Sequence, residues 1–538
     1  MSRRRTTVLL PTAALLLASA CGGGSSSSGG APAAAPATGA ARDDRPVQAG
    51  GTLTLALAED PDALDPTIAR TLVGREVFVN MCEKLYDVDA GLELVPQLAQ
   101  SLPSVSSDGK KVTIKIRSGL KFNDGTALDA EAVKTSLDRH RTLTGSARAA
   151  DLASVTDVEV VDPGTVRLTM DAPFAPLTAQ LADRAGMIMS PTKLEELGEK
   201  FGTDPVCVGP FTFASRTPGN EIKLEKAPDY YDADKVKLDS ITYRIITDAN
   251  VRLANVKSKD VQVAERIAAT DVGQLEGDPT VKLIGQESLG YQGISINIGN
   301  TSGIGEPVGT VDTPLGKNPD LRRAFELSLD RDVINQVVFA GKYTPGCTPL
   351  PPVSPYHDAS IQCSTRNLEE AKRLVQASGQ ATVPVELIVG NAPENLRLGQ
   401  VVQSQAKEAG FDVKVQPSEF ASALDQTDTG DYETFQVGWS GRVDPDGNIY
   451  SFLHTGGPLN ITGASDPQLD KLLEDARTSA DEAERRGLYG QALKIAAEDR
   501  PIIYLYHPKN YLVTTPEVAG VDYFADGLPR LKTAGLAQ

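Results

Sequence analysis

Val112, Ile114 and Ile116 alternate with Thr113, Lys115 and Arg117, the period of a strand with one face buried. Asn123-Asp124-Gly125 supplies a turn, and Asp129 with Glu131 opens a helix continued by Val133 and Leu137. The leucines and threonines of 52–57 predict an opening strand. Further strands are predicted at Val158–Val161, Val166–Met170, Ile241–Ile246, Val385–Val389 and Phe411–Val415. Helical spacing places Leu321, Ala324, Phe325 and Ser328 on one face, with Val333, Val337 and Val338 continuing that apolar surface. Asn367 and Glu370 predict a capping box ahead of Ala371, Leu374 and Val375. Gly410 closes a helix bearing Leu398, Val401, Val402 and Ala409, and Pro467 begins one bearing Leu469, Leu472, Leu473 and Ala476. Strands alternating with helices to the end of the chain argue α/β architecture.

The N-terminus follows a different pattern. Arg3, Arg4 and Arg5 precede a short apolar run, Val8 to Ala20, too short to span a bilayer, which predicts an export signal over residues 1–20. Leu17-Ala18-Ser19-Ala20 before Cys21 resembles a lipobox, with alanine where leucine is usual, and marks Cys21 as the lipidation site. Residues 21–50, rich in Gly, Ser, Ala and Pro, cannot pack a core and predict a flexible tether. The formal charge is −18, and cleavage before Cys21, which removes three arginines and no acid, makes it −21. So acidic a surface repels nucleic acid, and no nucleic-acid partner is expected.

In an exported chain the remaining four of five cysteines suggest disulfides. Cys347 and Cys363 bracket a proline-rich loop and are expected to pair. Cys82 and Cys207 pair only if folding brings them together, the alternative being two buried thiols. No CxxC or HxxxH spacing occurs, so no metal or cofactor is expected.

The stretch Leu94 to Arg139, with its Pro96, strand, Arg117, Gly119 and Phe122-Asn123-Asp124-Gly125, resembles the signature of solute-binding protein family 5. That family holds the extracytoplasmic receptors of oligopeptide, dipeptide and related ABC importers. Gly209-Pro210-Phe211, Leu321 to Arg331, Ala371 to Leu374, Asp466 to Ala476 and Asp499-Arg500-Pro501-Ile502 follow in the family's order. The resemblance implies a two-lobed periplasmic-binding-protein-like fold of the large three-subdomain type, with a ligand cleft between lobes joined by two crossovers. Lobe I would take 51–291, with an extra subdomain over about 93–200. Lobe II would take 292–506, and 507–538 would return to lobe I. It also implies a small-molecule or peptide ligand, permease and ATPase partners, a monomer, and a place on the outer face of the cell membrane through the lipid anchor.

Val437 to Asp446 looks like the family segment that lines the cleft. Trp439, the only tryptophan, reads as a pocket wall or as a core aromatic. At position 442 peptide-binding relatives carry an aspartate that pairs with the peptide amine. Arginine cannot do this, and its planar cationic fork suits a carboxylate or phosphate. The alternative is an internal ion pair of Arg442 with Asp444 or Asp446. Asp444, Asn460 and Asp62 join Trp439 and Arg442 as expected ligand-binding residues. Asp444, Asp446 and Asn448 imitate a calcium loop, but Ile449 and Thr455 break it.

Two other classes compete. An exported hydrolase finds no HExxH, no GxSxG and no phosphate-binding loop here, so no catalytic residue and no enzyme activity is expected. A surface adhesin or chaperone would use the same fold without transport.

Overall fold

The structure is a computed structural model that describes Gly39 and residues 42–538. The signal, Cys21 and most of the tether lie outside the described residues. From Arg42 onward the chain forms two lobes, each built on its own sheet.

The first sheet has seven strands. Thr52–Leu57 is central, parallel to Ser240–Ile245 on one side and to Val263–Glu265 on the other. Lys509–Thr514, from near the C-terminus, inserts between Val263–Glu265 and the edge strand Lys282–Glu287. Leu53, Leu55 and Leu57 are fully buried. The second sheet has six strands in mixed orientation. Tyr291–Ile296 lies between Thr434–Trp439 and Ile502–His507, and Val383–Gly390 runs parallel to both Thr434–Trp439 and Phe411–Ser418.

A smaller four-stranded antiparallel sheet contains Lys111–Lys115 and Thr165–Met170. Val112 and Ile114 are buried while Lys111 and Lys115 are exposed, as the two-residue period requires. The helix Ala130–Thr142 covers this sheet, with Asp129 accepting from the Ala132 N–H as N-cap. Cys82 and Cys207, both buried beneath this region, form a disulfide, and Cys347 forms another with Cys363.

The chain passes from the first sheet to the second between Glu287 and Tyr291 and returns between His507 and Lys509. The crossovers are tied together, with Ser288 N–H donating to the Pro508 carbonyl at 3.3 Å and His507 Nδ1 bonded to the Gly290 carbonyl at 2.9 Å.

One predicted apolar face is corrected. Helix Pro319–Ser328 stops at Leu329, and Asp330 caps a separate helix, Arg331–Phe339, by accepting from the Val333 N–H. The new helix starts in a different phase, so Ile334 and Val338 point inward while Val333 and Val337 are 44% and 53% exposed. The capping box at Asn367 is half formed. Asn367 accepts from the Glu370 N–H, but the Glu370 carboxylate pairs with Arg373.

His140 supplies a pH test of this packing. Its ring is fully buried, bonded to Thr67 Oγ1 and the Met187 carbonyl, each at 3.0 Å. Burial pushes its pKa down to about 4, below the 6.5 of an exposed histidine. Between these values the unfolded chain binds the proton first. Neutral His140 therefore contributes stability above pH 6.5 that is lost as pH falls towards 4. His140→Gln should flatten the melting temperature against pH over that window, and an unchanged slope would place the acid sensitivity elsewhere.

Candidate ligand cleft between the lobes

The cleft wall from the second lobe begins where strand Thr434–Trp439 ends. Gly441 has φ +81°, and a Cβ there would lie 2.2 Å from the Leu289 carbonyl carbon, so only glycine lets this segment pass against the crossover. The turn is held by one side chain. Asn448 Oδ1 accepts from Trp439 Nε1 at 3.0 Å and from the Arg442 N–H at 2.7 Å, and its Nδ2 donates to the Arg442 carbonyl at 2.8 Å. Asn448 is buried at the start of helix Asp446–Leu453, so it positions both Trp439 and Arg442. Trp439 stacks edge-on against Phe452, and the Arg442 guanidinium lies 4.2 Å from the centre of the indole.

Arg442 reaches across the cleft. Its Nε is 2.6 Å from Asp183 Oδ2 in the first lobe, and its Nη1 donates to the Gly441 carbonyl at 2.7 Å. Asp183 Oδ1 accepts from Arg75 Nε at 3.2 Å and from the Arg184 N–H at 2.8 Å. Arg75, on helix Leu72–Phe78, also donates to Ser440 Oγ at 3.5 Å. Burial opposes the charge on Asp183, yet Arg442, then Arg75 and Arg184, hold its carboxyl well below the usual range. Burial and then Arg75 push Arg442 down to about 9, against the pull of Asp183, so it stays a cation at neutral pH.

Arg75, Lys84 and Asp183 from the first lobe, Leu289 from the crossover, and Arg442 and Asp444 from the second share the wall of one narrow space. Of the residues expected from sequence, Arg442 and Asp444 stand in this wall and Trp439 backs it through Arg442. Asp444 is held by Arg485 at 2.7 and 2.8 Å. Asn460 is buried and holds its own loop, donating to the His454 and Ala464 carbonyls and accepting from Thr462. Asp62 accepts from Thr71 Oγ1 and the Arg70 N–H. Neither Asn460 nor Asp62 is in the wall described.

The proposed pairing of Arg442 with Asp444 or Asp446 is overturned. Arg485 takes Asp444 and Arg477 takes Asp446, at 2.7 and 3.0 Å, because both arginines project from helices packed behind the loop. Asp183, Arg75 and Arg184 were not legible as members of this ion-pair cluster. They sit in short elements of the first lobe with no motif around them.

A family model, bacterial extracellular solute-binding proteins, family 5 (middle), matches residues 93–460. The chain belongs to this family. Family 5 proteins are the substrate-binding receptors of ABC importers, work outside the cytoplasm, and have relatives that bind rather than transform their solutes. Among curated proteins, this family 5 receptor is 28% identical over 512 residues to the glutathione-binding protein GsiB of Pectobacterium atrosepticum, covering 93% of this chain and 97% of that protein. It is also 28% identical to GsiB of Escherichia coli K12 over 470 residues, covering 85% and 89%. Among solved structures it is similar to the oligopeptide-binding protein AppA of Bacillus subtilis in complex with a nonapeptide, with TM-score 0.82, 23% identity, and 92% and 100% of the two chains covered. The binding protein AgaA of A. tumefaciens R10, in complex with agropinic acid, has TM-score 0.80, 26% identity, and 91% and 99% coverage. No described helix is long and apolar enough to cross a membrane.

Proposed function

We propose that this receptor captures a peptide-like, anionic solute in the cleft and delivers it to a membrane permease driven by a cytoplasmic ATPase. The lobes would divide near Tyr291 and His507, with the subdomain of about 93–200 enlarging the first. Trp439, Arg442 and Asp444 would face the solute. The observation that carries this reading is the cationic guanidinium of Arg442, supported by Asn448 and the Trp439 ring, directed across the cleft. A solute carboxylate can take the place of Asp183 on it. The named ligands of the relatives, glutathione, a nonapeptide and agropinic acid, all carry carboxylates, which supports an anionic solute. Binding without turnover is the expected activity.

Untargeted mass spectrometry of compounds released from the purified protein on mild denaturation tests the reading. Thermal shift across peptide, opine and sugar panels is its companion. A carboxylate-bearing peptide or opine is the expected result. Recovery of nothing, with no shift in any panel, would replace transport by adhesion.

The receptor would act as a lipid-anchored monomer on the outer face of the cell membrane. Cys21→Ser should release it into the medium, and a variant that still partitions into detergent with the membrane would refute the anchor.

A further inference from the structure

Charge is balanced in the ion pairs at the wall of this space except around Asp183, and elsewhere between the lobes the single Arg70 faces both Asp425 and Asp428. Asp444 pairs with Arg485, and Asp446 with Arg477. Lys84 and Arg530 are matched by Asp87 and Asp526. The exception surrounds Asp183. Arg75, Arg184 and Arg442 all pair with that one carboxylate, at 3.2, 3.9 and 2.6 Å. Arg148 pairs with Asp151 at 2.9 Å, and its charge acts on Asp183, Arg184 and Arg442. Among the described residues, then, four guanidiniums form ion pairs with two carboxylates, an excess of two positive charges. All four are largely withdrawn from water, with side chains 6%, 10%, 1% and 12% exposed for Arg75, Arg148, Arg184 and Arg442. The buried Nε groups of Arg148 and Arg184 have no hydrogen-bond partner.

A buried cation without a counter-charge is costly, and arginine does not escape the cost by losing its proton. One carboxylate would halve the imbalance, whereas two would close it. We infer that the cleft is built for a solute presenting two anionic groups to the Arg75 and Arg442 guanidiniums in its wall, whose positive charge Arg184 and Arg148 reinforce from outside that wall, a dicarboxylate in chemical class. The inference rests on the reading of this cleft as the solute site and narrows it. It also gives the cluster a selective role, because a solute with one carboxylate leaves a buried charge unmatched.

The test uses glutarate and its monoamide, glutaramate, which differ by one charge at nearly equal size. Both are titrated at constant ionic strength and pH 7.5 up to tens of millimolar. Binding is followed by the fluorescence of Trp439, the only tryptophan in the chain, and by thermal shift. Glutarate should bind, with glutaramate weaker by roughly tenfold or more, the ordinary range for losing one desolvated charge pair. Asp151→Asn, which removes a carboxylate and keeps every guanidinium, should tighten glutarate. Arg148→Gln should narrow the difference between the two probes. Equal binding of the two probes, or binding of neither, overturns the inference. If a peptide or opine binds while the probe pair is not discriminated, the two-charge inference falls and the receptor reading stands. If glutarate is preferred while no peptide, opine or sugar shifts the protein, the two-charge inference stands and the peptide-like reading falls.

Discussion

Arg442→Ala should weaken the solute recovered from the protein by roughly 30- to several-thousand-fold, the effect of truncating one member of a desolvated charge pair at about 2–5 kcal/mol. The guanidinium is 12% exposed, stacked on Trp439 and 2.6 Å from Asp183, so it is fixed before any solute arrives. The fold should survive. Asp183 retains Arg75 and the Arg184 N–H, and the Trp439 turn retains Asn448. Amidating the solute's carboxylate should cost wild type a comparable factor and add little to the variant's loss, which calorimetric titration can read directly. A double-mutant cycle with Asp183→Asn separates the alternatives. If Arg442→Ala lowers the melting temperature and leaves affinity unchanged, the pair with Asp183 is a latch between the lobes and recognition lies elsewhere.

Replacing both Cys82 and Cys207 by alanine should cost about 5 kcal/mol of unfolding free energy, read from guanidinium titration under oxidising conditions. The bridge closes a separation of 125 residues, whereas Cys347–Cys363 closes 16, worth about 3 kcal/mol on the same chain-entropy argument. The longer loop contains the entire four-stranded sheet and the helix Ala130–Thr142. Its closure therefore holds the base of that whole region and not just a local turn. A loss no larger than that of the Cys347/Cys363 double variant would show that the unfolded chain gains little freedom from opening it.

Two of these expectations depend on side chains whose partners are remote in sequence, and that explains what could be read in advance. The strand at Lys111–Lys115 and the helices at Asp129, Asn367 and Pro467 were legible because periodicity and capping act over a few residues. The boundary at Leu329 was not, since Val333 and Val337 satisfy an apolar pattern that one Asp330 cap puts out of phase.

At the cleft the same division holds. Residue identity alone determined that position 442 is a permanent cation beside the only tryptophan, and that the segment around it resembles a family cleft wall. It could not say which carboxylate answers the cation. Asp444 and Asp446 were near in sequence, but Arg485 and Arg477 hold them, and the partner is Asp183, more than 250 positions away. Ion pairing is decided by distance and burial, and those are set by how helices and lobes pack. The identity of Arg442 was local chemistry. Its neighbours Arg75 and Arg184, and the charge they leave unmatched at Asp183, came only with the tertiary structure, because nothing short-ranged in the chain requires arginines from separate elements to meet.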